Sequence, residues 1–282
     1  MMLLLGSASA GPVWRRHTGA AKAKALLKRH VHFLPTYGKA GAIQASGAEA
    51  FNYFIDKTRH AGVDVRDEFA KFVCRDAETL SHGVVDVGSG AGSLTKKLLR
   101  HSARDVQILG IDTSQAMVRE ARRSVGGSTF GTGRVRFMQA NAVDLHRVDH
   151  TFSVATAAFL FHELPREAGY DALRAVLAAS DATYIMDVSP STIDLPVHHV
   201  FRLFEPFVEE FSIYFERQLA TAALDEGCLV EKVRLPAMPD SLSVWKATRG
   251  QVCLGQFGDA CLDDGAELEL QMGMAAMAAA KG

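Results

Sequence analysis

The chain has 282 residues, 48% of them hydrophobic, and a formal net charge of −1. That is enough sequence to bury one large core or two modest ones without disulfide staples. No apolar run reaches the roughly 18 residues of a membrane span, so a soluble protein is expected. The charge sits unevenly, and most of the chain is too acidic for a dedicated nucleic-acid binder.

Residues 1–48 hold seven Lys/Arg (Arg15, Arg16, Lys22, Lys24, Lys28, Arg29, Lys39) and no acid. The 31 bases less those seven leave 24 against all 32 acids, a net of −8 for the remainder. An acid-free stretch rich in Arg, Lys, Ala and Ser has the composition of an organelle-targeting segment, mitochondrial or plastid; a retained basic arm is the alternative. A secretory signal fits less well, because the apolar run Met2–Leu5 is short and no base precedes it. Cys74, Cys228, Cys253 and Cys261 form no CxxC pair, which fits reduced thiols in an intracellular protein.

Helix and strand alternate over residues 49–250. The segments 48–62 and 65–80 have helical spacing, with Phe51, Phe54 and Ile55, then Phe69, Phe72 and Val73, on one face each. Strands are predicted at 83–87, 106–112, 135–140, 152–159 and 182–188. Helices are predicted at 93–103, 114–125, 166–180 and 208–227; Ser114 is placed to cap the second. The stretches 228–235 and 241–249 read as a closing strand pair. Strands separated by helices of this length pair in parallel, which makes the body a doubly wound α/β domain with a mostly parallel seven-stranded sheet and helices on both faces. An insertion at about 189–207 follows the fifth strand. Residues 251–282 are left as a tail.

The stretch VVDVGSGAGSLTKKLL (84–99) carries the chemistry. Gly88, Gly90 and Gly92 follow a strand and open a helix. Glycine there permits φ > 0 and a close ligand approach, and the helix aims its first N–H groups at the same spot. Asp112 ends the next strand, where a carboxylate can accept hydrogen bonds from both ribose hydroxyls of a nucleotide-like cofactor. A dinucleotide fingerprint would need G-x-G-x-x-G, and here the third glycine falls one place early. Asp86, two residues before the loop, would repel a pyrophosphate. A cofactor with a cationic centre and no phosphates suits it better.

VVDVGSGAGSLT resembles motif I of the class I S-adenosylmethionine (SAM)-dependent methyltransferases. GIDTSQAMVREAR, QANAVDL and FSVATAAFLFHELP resemble, in the right order, the segments that follow it in that superfamily, over roughly residues 80–190. The resemblance implies that SAM lies along Gly88, Gly90, Gly92 and the backbone near Ser89, with Asp86 near its amino group. Asp112 and its neighbour Thr113 would hold the ribose. Met117, Asn141 and Ala142 would meet the adenine, and Phe159 would wall the site. Asn141 stands where many relatives have Asp; its amide oxygen can still accept from the adenine amino group.

A base is needed only if the acceptor must lose a proton. His162 and Glu163 directly follow the fourth strand at the ligand end of the sheet, and His162 is the better base candidate. Capping or anchoring the helix from 166 is their structural alternative. No NPPY-type segment follows strand four, which counts against amide or adenine N-methylation. No metal constellation is evident, and His198–His199 lack partner ligands. The insertion, with His198, His199, Phe201, Phe204, Glu205 and Phe207, and a lid of Phe51, Tyr53 and Phe54 would suit an amphipathic small-molecule acceptor, with nucleic acid disfavoured. Three other readings compete: a nicotinamide oxidoreductase, a non-catalytic subunit of the same fold, and an RNA or protein methyltransferase. Acceptor, methylated atom and oligomeric state are not legible in the sequence.

Overall fold

A computed structural model describes residues 38–60, 62–77, 80–125, 133–147, 152–190 and 207–250. In chain order the elements are α1 (Gly38–Arg59), α2 (Val65–Asp76), β1 (Val84–Val87), α3 (Ser93–His101), β2 (Ile108–Asp112), α4 (Gln115–Val125), β3 (Val135–Gln139), β4 (Phe152–Ala158), α5 (Arg166–Ala178), β5 (Ser180–Val188), α6 (Val208–Asp225), β6 (Cys228–Val233) and β7 (Leu242–Arg249). Short 3₁₀ turns cover Ala142–Arg147 and Phe161–Glu163. The acid-free arm, the insertion with its His198–His199 pair and the tail lie outside the described residues.

The seven strands form one sheet in the order β3-β2-β1-β4-β5-β7-β6. The first five pair in parallel; β7 runs antiparallel to both its neighbours. This is the expected α/β class, with the closing pair at one edge. β1 and β4 are covered by helices on both faces, so Val84, Val85, Val87, Val154, Ala155 and Ala157 are all buried. Burying each valine stabilises the fold by about 1.5–3 kcal/mol. The edge strand β6 exposes Glu231 and Lys232, charges that discourage pairing with another chain. Strand order reverses between β1 and β4, so the crevice outside their carboxyl ends is where a ligand is expected.

Helix starts follow the residues. Asp64 accepts the backbone N–H of Asp67 at 3.0 Å and caps α2. Ser114 accepts that of Met117 at 3.3 Å and caps α4, as predicted. The helical face proposed for α1 is corrected: Phe51, Tyr53 and Phe54 are 54–66% exposed, while Ala45 is buried and Ile55 half-buried. The inner side of α1 is held by polar groups instead, with Asn52 Nδ2 donating to Ser93 Oγ at 3.0 Å and Lys96 paired with Glu49. Those three aromatics are therefore not core residues. Cys74 and Cys228 are free thiols, and burial pushes Cys74 up to about 11, which leaves it unreactive. Among the described residues no helix is long and apolar enough to cross a membrane.

Candidate functional site

Gly88, Gly90 and Gly92 all have positive φ, at +69°, +53° and +85°, so the loop turns in the left-handed region at every second residue. Their surroundings differ. A Cβ on Gly92 would lie 3.1 Å from Phe137 Cζ, 3.2 Å from Val125 Cγ2 and 3.3 Å from Ala121 Cβ. A Cβ on Gly88 would lie 2.9 Å from Leu160 Cδ1. Only a Cβ on Gly90 would enter open space, with nothing within 4 Å. The expectation that all three glycines clear a ligand's approach is thus corrected: Gly92 admits the packing of α4 and β3, Gly88 admits Leu160, and Gly90 alone borders the open cradle. Ser89 is expected to line the site through its backbone. Its buried hydroxyl makes no hydrogen bond and sits 3.0 Å from where a Cβ on Gly110 would be, so its side chain lies under the loop. Its backbone braces the turn, donating to Ile111 O and accepting from Gly92 N, both at 2.9 Å.

Asp112 ties the next strand to this loop. Its Oδ2 accepts the Gly90 N–H at 2.9 Å and its Oδ1 accepts the Ser114 N–H at 2.7 Å. Each oxygen keeps lone-pair capacity for a further donor. Asp86, 1% exposed, accepts from Thr95 Oγ1 and Thr156 Oγ1 at 2.5 and 3.1 Å. Desolvation pushes both carboxyls up to about 6, and Asp112 also raises Asp86 through like charge. Asp86 is therefore locked beneath the loop by two threonines and would act on a ligand's amino group as a field, not as a contact.

The rest of the expected rim is assembled by the sheet. Thr113 offers its carbonyl to Gln139 Nε2 at 3.0 Å, joining the ends of β2 and β3. Met117, half-buried, lies on the first turn of α4. Asn141 is buried and caps the 3₁₀ turn that begins at Ala142: its Oδ1 accepts from Val143 N at 3.2 Å and its carbonyl from Asp144 N at 2.9 Å. Phe159 directly follows β4 and is the only non-glycine residue with positive φ (+57°) among the described residues. Glu163 lies close enough for its charge to raise Asp112.

His162 is 4% exposed, and its Nδ1 is 2.6 Å from Asp187 Oδ1. Asp187, at the end of β5, is fully buried and also accepts the backbone N–H groups of Phe161 at 2.9 Å and Val188 at 2.8 Å. A carboxylate already collecting N–H donors accepts from the ring as well, so Nδ1 carries the proton and Nε2 is the basic nitrogen. The rings of Phe159 and Phe211 stand edge-on to His162 at 6.4 and 6.3 Å. Neither His162 nor Glu163 caps α5, whose N-cap is Pro165. Asp187 escaped sequence reasoning, although an acid ending a predicted apolar strand (ATYIMDV) repeats the signal used for Asp112. Arg66 and His60, which reach Phe159 from the upstream segment, carried no motif at all.

A glycine loop at the switch point of a doubly wound sheet, faced by an acid at the end of β2, is the cofactor corner of a Rossmann-like fold. The donor set fits an adenosyl cofactor: the open space at Gly90 adjoins a carboxylate with spare acceptor capacity, and two nearby acids disfavour phosphates.

Residues 84–180 match the methyltransferase domain family. It is 36% identical over 78 residues to the demethylmenaquinone methyltransferase of Porphyromonas gingivalis, covering 28% of this chain and 31% of that protein. It is 30% identical over 107 residues to the ubiquinone/menaquinone biosynthesis C-methyltransferase UbiE of Geobacter sulfurreducens, covering 38% and 41%. The matches thus span well under half the length of these relatives. In fold the chain is similar to magnesium protoporphyrin IX methyltransferase from Synechocystis PCC 6803, crystallised with SAM (TM-score 0.50, 16% identity, 66% of this chain and 78% of that one). It is also similar to the methyltransferase domain of bacterial CtHen1-C (TM-score 0.54, 15% identity, 66% of this chain and 100% of that one).

Proposed function

We propose that the chain transfers a methyl group from SAM to a small-molecule acceptor bearing a hydroxylated, quinol-type ring. The observation that carries the cofactor half is the open space over Gly90 beside the carboxylate of Asp112. SAM would supply an electrophilic methyl on a sulfonium. Asp112 would accept from the ribose hydroxyls while holding the Gly90 amide in place. Met117, Asn141 and Ala142 would border the adenine. The acceptor half draws on the two curated relatives, both quinone-pathway methyltransferases by name, and on the aromatic surroundings of His162.

In this reading His162 takes a proton from the acceptor's hydroxyl through Nε2, and Asp187 stabilises the imidazolium that results. Phe159 and Phe211 keep water from the ring. Glu163, whose charge reaches Asp112, would act through that charge. The test is calorimetric titration of the full chain with SAM, S-adenosylhomocysteine and NAD in parallel. Binding of the two adenosyl compounds and not of NAD is expected. NAD binding alone, or no binding of any of the three, overturns the proposal.

A further inference from the structure

We infer that the outward face of α1 is a docking surface for the headgroup region of an anionic lipid bilayer, on which the chain lies without spanning it. The inference goes beyond the reading above and holds whatever the acceptor is. On a helix, residues three and four apart share a side. Ile43, Gly47, Ala50 and Phe54 follow that spacing, with Phe51 and Tyr53 on either flank. Ile43 is 73% exposed, Phe51 54%, Tyr53 66% and Phe54 60%, and Gly47 and Ala50 between them are exposed as well. The opposite side meets the body through buried Ala45, through Asn52 donating to Ser93 and through Glu49 paired with Lys96. Polar groups inward and apolar groups outward reverse the arrangement of a helix that faces water.

The charge beside this face has the sign an anionic surface attracts. α1 packs against α4, whose Arg119, Arg122 and Arg123 are exposed. The charge of Glu49 acts on Arg123, which places that base beside α1. With Lys96, four bases stand there among the described residues against two acids, Glu49 and Glu120, each already paired. Bases near an anionic surface add attraction, and aromatic rings settle at headgroup level.

A second copy of the chain fits this face less well. From Ile43 to Phe54 the stripe is about 16 Å long, at 1.5 Å per residue. One helix face of that length offers far less than the roughly 800 Å² per partner of a stable dimer. A bilayer sets no such minimum, because each inserted side chain is surrounded by lipid on its own. No described helix is long and apolar enough to cross a membrane, so the attachment lies in the plane of the surface. Ser93, which holds Asn52, is the first residue of the helix opened by the glycine loop. The patch therefore adjoins the ligand end of the sheet, and a chain docked by it keeps that end next to the lipid.

The experiment co-sediments the full chain with vesicles of phosphatidylcholine, alone or mixed with phosphatidylglycerol. It compares the unmodified chain with three double variants: Ile43→Ser/Phe51→Ser on the patch, Arg119→Ala/Arg123→Ala on its flank, and Ile213→Ser/Leu224→Ser on α6. The last pair is 63% and 76% exposed and lies outside the patch. All these side chains are exposed, so circular dichroism should show every form folded. The unmodified chain should bind the anionic vesicles. Ile43→Ser/Phe51→Ser should weaken that binding roughly 10- to 100-fold. Arg119→Ala/Arg123→Ala should weaken it roughly 10- to 30-fold, with no change on neutral vesicles. The α6 pair should stay within about twofold. No binding by the unmodified chain overturns the inference, as does an α6 pair that loses as much as the α1 pair. Full binding by Ile43→Ser/Phe51→Ser also overturns it and assigns the attraction to bases elsewhere in the chain. A dimer in vesicle-free sedimentation that the same variant abolishes overturns it in favour of a second copy.

Discussion

Alanine at Gly90 and at Gly92 should separate cofactor space from packing space within one loop. Both glycines have positive φ, +53° and +85°, so either alanine costs about 1–2 kcal/mol of backbone strain. At Gly90 the new methyl meets nothing within 4 Å. The amide that Asp112 accepts is retained. The strain is then the whole stability cost, a fall of roughly 3–6 °C in Tm for a domain of this size. At Gly92 the methyl presses on Phe137, Val125 and Ala121 at 3.1–3.3 Å, and overpacking adds about 1–3 kcal/mol. The total of about 2–5 kcal/mol should lower Tm by roughly 5–15 °C. Binding should rank the other way. Gly90→Ala fills the cradle and should weaken S-adenosylhomocysteine at least tenfold, whereas Gly92→Ala, measured where it is folded, should stay within about threefold of the unmodified chain. Thermal melts followed by calorimetric titration check both. If Gly90→Ala binds as well as the unmodified chain, the open space over Gly90 is not the cofactor's. If Gly92→Ala melts no lower than Gly90→Ala, the packing argument fails.

Asp112→Asn should reduce S-adenosylhomocysteine affinity by roughly 100-fold, because a charged acceptor shared by two hydroxyls is replaced by one amide oxygen; calorimetry on a variant shown to be folded by circular dichroism checks this. Burial pushes the folded-state value of Asp86 up to about 6 from an ordinary 3.8. The folded chain thus binds that proton more tightly than the unfolded one, and the stabilisation, complete below about pH 4, is lost as pH rises through about 6. Between pH 4 and 7.5 the unmodified chain should lose about 3 kcal/mol relative to Asp86→Asn, read from urea unfolding of both; a constant gap would remove the raised value. Asp112, also raised to about 6, should make S-adenosylhomocysteine affinity fall as pH drops below 6, a dependence that Asp112→Asn flattens. His162→Gln should lower kcat by about 10²–10⁴ with cofactor affinity unchanged, and Asp187→Asn should shift the pH–rate profile by altering which imidazole nitrogen holds the proton. An unchanged profile would leave Asp187 with a purely structural part. Removal of residues 1–37 should leave cofactor affinity intact; a truncated chain that folds without binding would tie the arm to the site.

Local pattern alone determined much of this protein. The β-branched run of β1, the helical spacing of α2 and α4 and the Ser114 cap depend on neighbours within a few residues, and each formed where the sequence put it. The same holds for Asp112, because a strand's last residue faces the ligand end whatever the sheet order. What lay farther apart was decided only by the tertiary structure. Strand order brought β4 beside β1, and with it Leu160 onto Gly88 and Phe159 toward Arg66. Asp187 reached His162 across 25 residues because β5 pairs with β4, a juxtaposition no spacing rule contains. Gly92 looked like a ligand glycine until Phe137 arrived from β3, and Phe51 and Phe54 looked like the packed face of their helix until the polar inner side of α1 met α3. Propensity and periodicity record what a residue does to its own segment; which surface that segment then covers follows from sheet order and packing, and that is where the site's chemistry was assembled.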